Sequence, residues 1–274
     1  MLIDEVNVYQ VTLPFAGEFS HSRKKGASAE NIIVEVLADQ GETRGYGEGA
    51  PRPYVTGETR ESAARSVLGF LEKGIFPWHL DHVSQVWAFI DGLPEEKDHN
   101  AALCALEMSL LDALGRSMNR SVIDYFPGDF LGARVFYGAA IPLADEKRIE
   151  EICNLIVDLG INNLRIKMGK DLGINRDTVH AVMSIFGDDC DLRADVNGAW
   201  DLELALQHIR LIDEYGIRIL EQPMMPLDPD IALFAGALRH GQTILMADES
   251  ACSLLEVKRI INPVSYTHLR AHET

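Results

Sequence analysis

From about residue 134 onward, short apolar runs alternate with longer stretches in which apolar residues recur every three or four positions. The runs at 134–141 (RVFYGAAI), 162–167 (NNLRIK), 190–194, 217–220 (IRIL) and 243–247 (TILMA) have the length of buried strands. Between them, near 145–159, 173–186, 201–215, 229–239 and 253–261, the period is that of amphipathic helices, with Asp145, Asp201 and Ser253 placed as caps or first-turn residues. Strand followed by helix, five times over, predicts a parallel sheet covered by helices.

The first ~130 residues follow another pattern. Residues 2–13 alternate weakly up to Pro14, NIIVEVLA (31–38) reads as a strand, and DQGETRG turns the chain into a third short strand. After Thr56 the period becomes helical over 58–73, about 80–91 and 99–118; in the last, Ala102, Ala105, Leu106, Ser109 and Leu110 share one helical face. Strands first and helices after predict an α+β unit. The fold class is therefore α/β: an α+β domain over 1–130, then a five-unit βα domain over 131–262.

The acidic ends of the predicted strands change the picture most. Lys167 ends the second strand of the series, and Asp195, Glu221 and Asp248 follow the third, fourth and fifth at spacings of 28, 26 and 27 residues, one βα unit each time. In a parallel sheet these side chains collect at one C-terminal edge, the edge that carries the active site in a βα barrel. Three carboxylates in one small volume repel strongly. A hard divalent cation with oxygen ligands, Mg²⁺ or alternatively Mn²⁺, removes that repulsion. The plainer alternative is that each acid caps the following helix or pairs with an arginine.

The motifs RIKMG (165–169), ADVNGAW (194–200), EQP (221–223) and ADES (247–250), in that order, resemble the enolase superfamily in its muconate-lactonizing and mandelate-racemase branch. The resemblance runs from residue 1 to about 262 and makes the first domain a capping domain, with 14–31 and 46–59 as substrate-covering loops. It implies Asp195, Glu221 and Asp248 as Mg²⁺ ligands and Lys167 as the acid/base. Arg165 stands where the family more often has lysine; its fixed positive charge would favour neutral Lys167, the proton-accepting form. Asn197 either orients substrate or a ligand, or shapes the turn. The implied chemistry is abstraction of a proton next to a carboxylate through an enolate. Epimerisation of a dipeptide or amino-acid derivative comes first, o-succinylbenzoate synthase or muconate-type cycloisomerase second, and a metal-binding fragment without turnover third.

The remaining features narrow the partners. Net charge is −17, which repels phosphate backbones and argues against nucleic acid. No apolar run is long enough to span a membrane, no signal peptide is evident, and four scattered cysteines without a C-x-x-C pair fit a reducing cytoplasm. The expected partner is a small-molecule carboxylate, with a homo-oligomer in the full-length parent. SHSRKKG (20–26) is basic, either drawing an anionic substrate or forming a solvated loop. Thr56 reads as a helix N-cap, His79 and His82 as surface or packing residues rather than a metal pair, and GYGEG (45–49) as a poor phosphate loop. A closed barrel takes eight units and about 250 residues, so five units predict a C-terminally truncated barrel. The resemblance places a second lysine near His272, but PVSYTHLRAHET (263–274) does not read as a sixth strand and is expected to be a non-native tail.

Overall fold

The computed structural model describes residues 1–21, 24–94, 96–126, 128, 136–187, 190–238, 242–261 and 268–269; the side chains of 16–21, 24–27 and 268–269 stand outside the description. The chain divides into two compact units, one of residues 1–17 and 27–133, the other of 134–272 with 18–26.

In the first unit, β1 (Ile3–His21), β2 (Lys24–Ala38) and β3 (Thr43–Gly49) form a sheet in that order, and α1 (Arg60–Glu72), α2 (Val83–Asp91) and α3 (Asn100–Ser117) follow. β2 and β3 pair antiparallel from Ile32↔Gly49 to Ala38↔Thr43. Ile32, Val34 and Val36 alternate onto the core face and meet Ala102, Ala105, Leu106 and Leu110 of α3. The glycines of GYGEG serve this packing: a Cβ at Gly47 would collide with the Ala105 carbonyl, so the backbones approach closely. Two expectations are corrected. β1 does not stop at Pro14: the strand runs on to His21, because a proline is tolerated on the edge strand that β1 is. Thr56 is not the cap of α1. Thr59 is, through a capping box with Ser62, while Thr56 holds the buried Glu58, whose carboxylate accepts from the Ala101 and Ala102 amides and so caps α3.

The second unit alternates β4 (Gly138–Ile141), α4 (Glu146–Asp158), β5 (Asn163–Lys167), α5 (Leu172–Phe186), β6 (Asp191–Asp195), α6 (Leu202–Glu214), β7 (Ile219–Glu221), α7 (Ile231–Leu238), β8 (Ile244–Ala247) and α8 (Leu254–Ile261). The strands pair in parallel in chain order, the expected α/β arrangement. Asp145, Asp171 and Asp201 each accept a backbone N–H of the following first turn, and Ser253 Oγ accepts from Glu256 N. One strand exceeds expectation: His268–Leu269 (β9) pair in parallel with Met246–Ala247, since the edge of β8 presents unpaired backbone groups. The rest of 263–274, His272 included, lies outside the described residues.

The period of two in β5 sorts its residues. Leu164 and Ile166 are buried in the helix-covered core with Leu192, Ala194, Leu220 and Leu245, and burying a side chain such as Ile166 stabilises by roughly 1.5–3 kcal/mol. Asn163, Arg165 and Lys167 therefore share the opposite face. Among the described residues no helix is long and apolar enough to cross a membrane.

Candidate functional site

Strand register assembles the site. Lys167 lies beside Asp195, and Asp195 beside Glu221, in one row across β5, β6 and β7. Glu221 pairs with Met246, so Asp248, two residues further along, comes to the same face. Carboxylate oxygens of Asp195, Glu221 and Asp248 lie within 4.8 Å of one another, on residues 0%, 3% and 7% exposed. The geometry expected from spacing alone is present, in deeply buried form.

Two cations answer part of this charge. Lys167 Nζ donates to Asp195 Oδ2 at 2.5 Å and to Asn197 Oδ1 at 2.8 Å. Arg165 reaches diagonally to Glu221, 3.2 Å from Oε1 and 3.3 Å from Oε2, and comes within 3.7 Å of Asp195. The plainer alternative, pairing with an arginine, thus holds for Glu221 without excluding the cluster. Among the described residues, two cationic side chains are thus seen to engage the three carboxylates. Beside them Glu249 is buried, and burial together with the Asp248 charge pushes its carboxyl above the usual range. An all-oxygen set of three buried carboxylates fits a hard divalent ion.

Asn197 stands in the turn after β6, and its side chain bonds to Lys167 and Glu249. Its φ of 51° is left-handed, and its N–H donates to Asp195 Oδ1 at 3.0 Å. Its side chain accepts from Lys167 and donates to Glu249 Oε1 at 3.1 Å. A further group supports the loop after Lys167, and the sequence reading missed it. Asn175 bonds both backbone groups of Gly169 at 2.9 Å, Trp200 Nε1 donates to the Gly169 carbonyl at 2.8 Å, and His208 stacks on Trp200 with its Nε2 2.9 Å from Asn175 Nδ2. Burial keeps the His208 pKa below the usual imidazole range. The available signal was faint: a polar Asn and His at core positions of α5 and α6.

The histidines at 79 and 82 do not share a ligand. His79 lies 3.2 Å from Asp81, and His82 caps α2 by accepting from Ser84 N. Glu96, Asp98 and His99 also cluster, but the two acids are exposed, and His99 is engaged by Ser66 and by the Phe70 ring.

Residues 147–269 match the family described as Enolase C-terminal domain-like. The chain is 25% identical over 266 residues to an N-succinyl-L-Arg/Lys racemase of Bacillus cereus, a match covering 95% of this chain and 69% of the other. It is 26% identical to an o-succinylbenzoate synthase of Bacillus subtilis, over 94% of this chain and 67% of that one. In fold it resembles a dipeptide epimerase of Enterococcus faecalis solved with Mg and the dipeptide L-Leu-L-Tyr, with a TM-score of 0.82 at 23% identity, covering 98% of this chain and 74% of that one. The segment 147–269 of this chain is thus similar to the enolase C-terminal domain-like family, and the relatives it matches along nearly its whole length are enzymes.

Proposed function

We propose that the chain catalyses proton transfer at the carbon next to a carboxylate, with Lys167 as the acid/base and Asp195, Glu221 and Asp248 as ligands of a Mg²⁺ ion. The observation that carries this reading is the buried trio of carboxylates with Lys167 hydrogen-bonded into it. When bound, Mg²⁺ would neutralise the acids and supply Lewis-acid stabilisation to negative charge on a substrate carboxylate.

The protein's own groups divide the remaining work. Lys167, as a neutral amine, accepts the α-proton, and the electron pair of the broken C–H bond moves toward the carboxylate to give an enolate. Returning a proton to the opposite face of that carbon inverts it; returning it to the same face leaves only isotope exchange. Arg165, on the same strand face, donates to Glu221 and so helps hold the second carboxylate in place. Asn197 fixes the Lys167 amine by accepting its hydrogen bond, which limits the amine to few orientations.

The substrate class we infer is a dipeptide or N-acyl amino acid, supported by the racemase and the dipeptide epimerase among similar proteins. The similarity to an o-succinylbenzoate synthase favours a second reading, in which the same enolate loses a β-group. Incubating the chain with Mg²⁺ in deuterated water and a panel of dipeptides and N-succinyl amino acids tests the proposal. A one-dalton gain at the α-carbon, abolished in Lys167→Ala, is the expected result. Mg²⁺ binding without exchange on any of them, with o-succinylbenzoate formation also absent, would leave a metal-binding chain without this activity.

A further inference from the structure

Gln222 follows the second carboxylate directly and has been given no role so far. It is 0% exposed, and its backbone is left-handed at φ 40°, a conformation a non-glycine residue adopts at a cost of about 1 kcal/mol or more. Its side chain uses all its main hydrogen-bonding capacity on loops. Oε1 accepts from Asp248 N and Ser250 N, each at 3.0 Å. Nε2 donates to the Met224 carbonyl and to Ser250 Oγ, each at 2.7 Å. Its backbone is tied on both sides: the Gln222 N–H donates to the carbonyl of Met246 in β8 at 2.9 Å, and the N–H of Gly198, in the turn after β6, donates to the Gln222 carbonyl at 2.7 Å.

We propose that Gln222 is the positioning residue of the third carboxylate: by clamping the Asp248 and Ser250 amides on one oxygen, it holds Asp248 within reach of Asp195 and Glu221, so that the site binds a divalent cation. The inference rests on the metal site proposed above. Three reasons favour it over a purely structural role. Three of the four side-chain bonds go to the segment that carries Asp248 and Ser250. Two amides on one oxygen restrict rotation of the Asp248 backbone, which sets where its side chain points. And carboxylates that repel one another stay within 4.8 Å only if their backbones are held there. Groups that orient metal ligands are worth about 10–100-fold in metal affinity.

The test is Mg²⁺ titration of the chelator-treated full chain by calorimetry, alongside amide hydrogen exchange. Gln222→Met is expected to lose Mg²⁺ affinity about 10–100-fold and to release the Asp248 and Ser250 amides, with β5, β6 and β7 still protected. Gln222→Glu keeps an acceptor oxygen toward both amides and is expected to keep them slow and to bind Mg²⁺ within about tenfold of wild type, a rescue that a merely space-filling role would not give. Amides that exchange freely while Mg²⁺ affinity stays at the wild-type value overturn the proposal, in Gln222→Met or, if that variant does not fold, in Gln222→Glu. Wild-type protein that binds no Mg²⁺ overturns the metal site itself and this inference with it, a result distinct from failure of the clamp alone.

Discussion

Strand β6 begins on Asp191 and ends on Asp195, four residues apart on the same face, and the two aspartates have opposite surroundings. Asp191 meets two guanidiniums: Arg218 at 2.8 and 2.5 Å, and Arg193 at 3.1 Å. Arg218 foremost, then Arg193, holds the Asp191 carboxyl below the usual carboxylate range. There the cations outnumber the acid, and Arg218 is half exposed. At the other end Asp195 is fully buried, and among the described residues three carboxylates converge beside Lys167 and Arg165. Arg165 and Arg193 are direct cross-strand neighbours, yet one leans toward the rim and the other toward Asp191. What separates a structural charge cluster from a candidate metal site is which groups converge, not the burial of charge as such. An acid between two guanidiniums is satisfied by protein, whereas three buried carboxylates converging on one small volume suit a divalent cation.

Substitutions on each side of this comparison should behave differently. The largest effect is expected for Lys167→Ala, which removes the base without removing a carboxylate: solvent deuterium incorporation at the substrate α-carbon should fall by about 10²–10⁴-fold, read by mass spectrometry. Asp248→Asn should weaken Mg²⁺ binding by on the order of 100-fold. Because it also relieves like-charge repulsion, it should leave the denaturation midpoint of the metal-free protein within the effect of an ordinary surface substitution, about 0.5 kcal/mol. Asp191→Asn should invert that result: a loss of about 1–2 kcal/mol in urea denaturation, from hydrogen bonds to charged groups, with Mg²⁺ affinity unchanged. Equal loss of Mg²⁺ binding in Asp191→Asn and Asp248→Asn would erase the distinction.

The smallest expected effect is on pH dependence. The folded His208 pKa lies below its unfolded value of about 6.5. The unfolded state therefore takes up the proton first, and stability present above pH ~6.5 is lost as pH falls through the folded pKa. Asp191, also depressed, contributes stability that is present above the unfolded carboxylate value near 3.9 and lost as pH falls through the folded value. Denaturation curves should thus lose stability in two acid steps. The first should shrink in His208→Gln and the second in Asp191→Asn, the remainder of the second coming from other depressed carboxyls such as Glu35.

The sequence carried the βα series because each strand is a short apolar run closed by a capped helix. The period of two in Asn163–Lys167 also told which face each residue joins. The rim was legible for the same reason: a spacing of one βα unit between acids survives folding as adjacency in register. What stayed hidden depended on tertiary contacts. Pro14 looked like a strand end, and only the sheet order reveals that β1 is an edge where proline is tolerated. Arg165 reaching across β6 to Glu221 is a long side chain's diagonal contact, which no periodicity encodes. Gln222 read as part of a motif without a task, since its partners lie 26 and 28 residues away on another loop. Asn175 and His208 carried little sequence signal because Asn175 bonds the Gly169 backbone on another segment, and His208 reaches that segment through Asn175 and the Trp200 ring.

The central claim is that the three converging buried carboxylates at the C-terminal rim of β6, β7 and β8 hold one divalent cation. Calorimetric titration of Mg²⁺ into chelator-treated protein and into Glu221→Gln tests it most directly. The account predicts saturable binding of one equivalent per chain in the wild type and its loss in Glu221→Gln. Absence of saturable binding in the wild type, or equal binding in the two proteins, would contradict it.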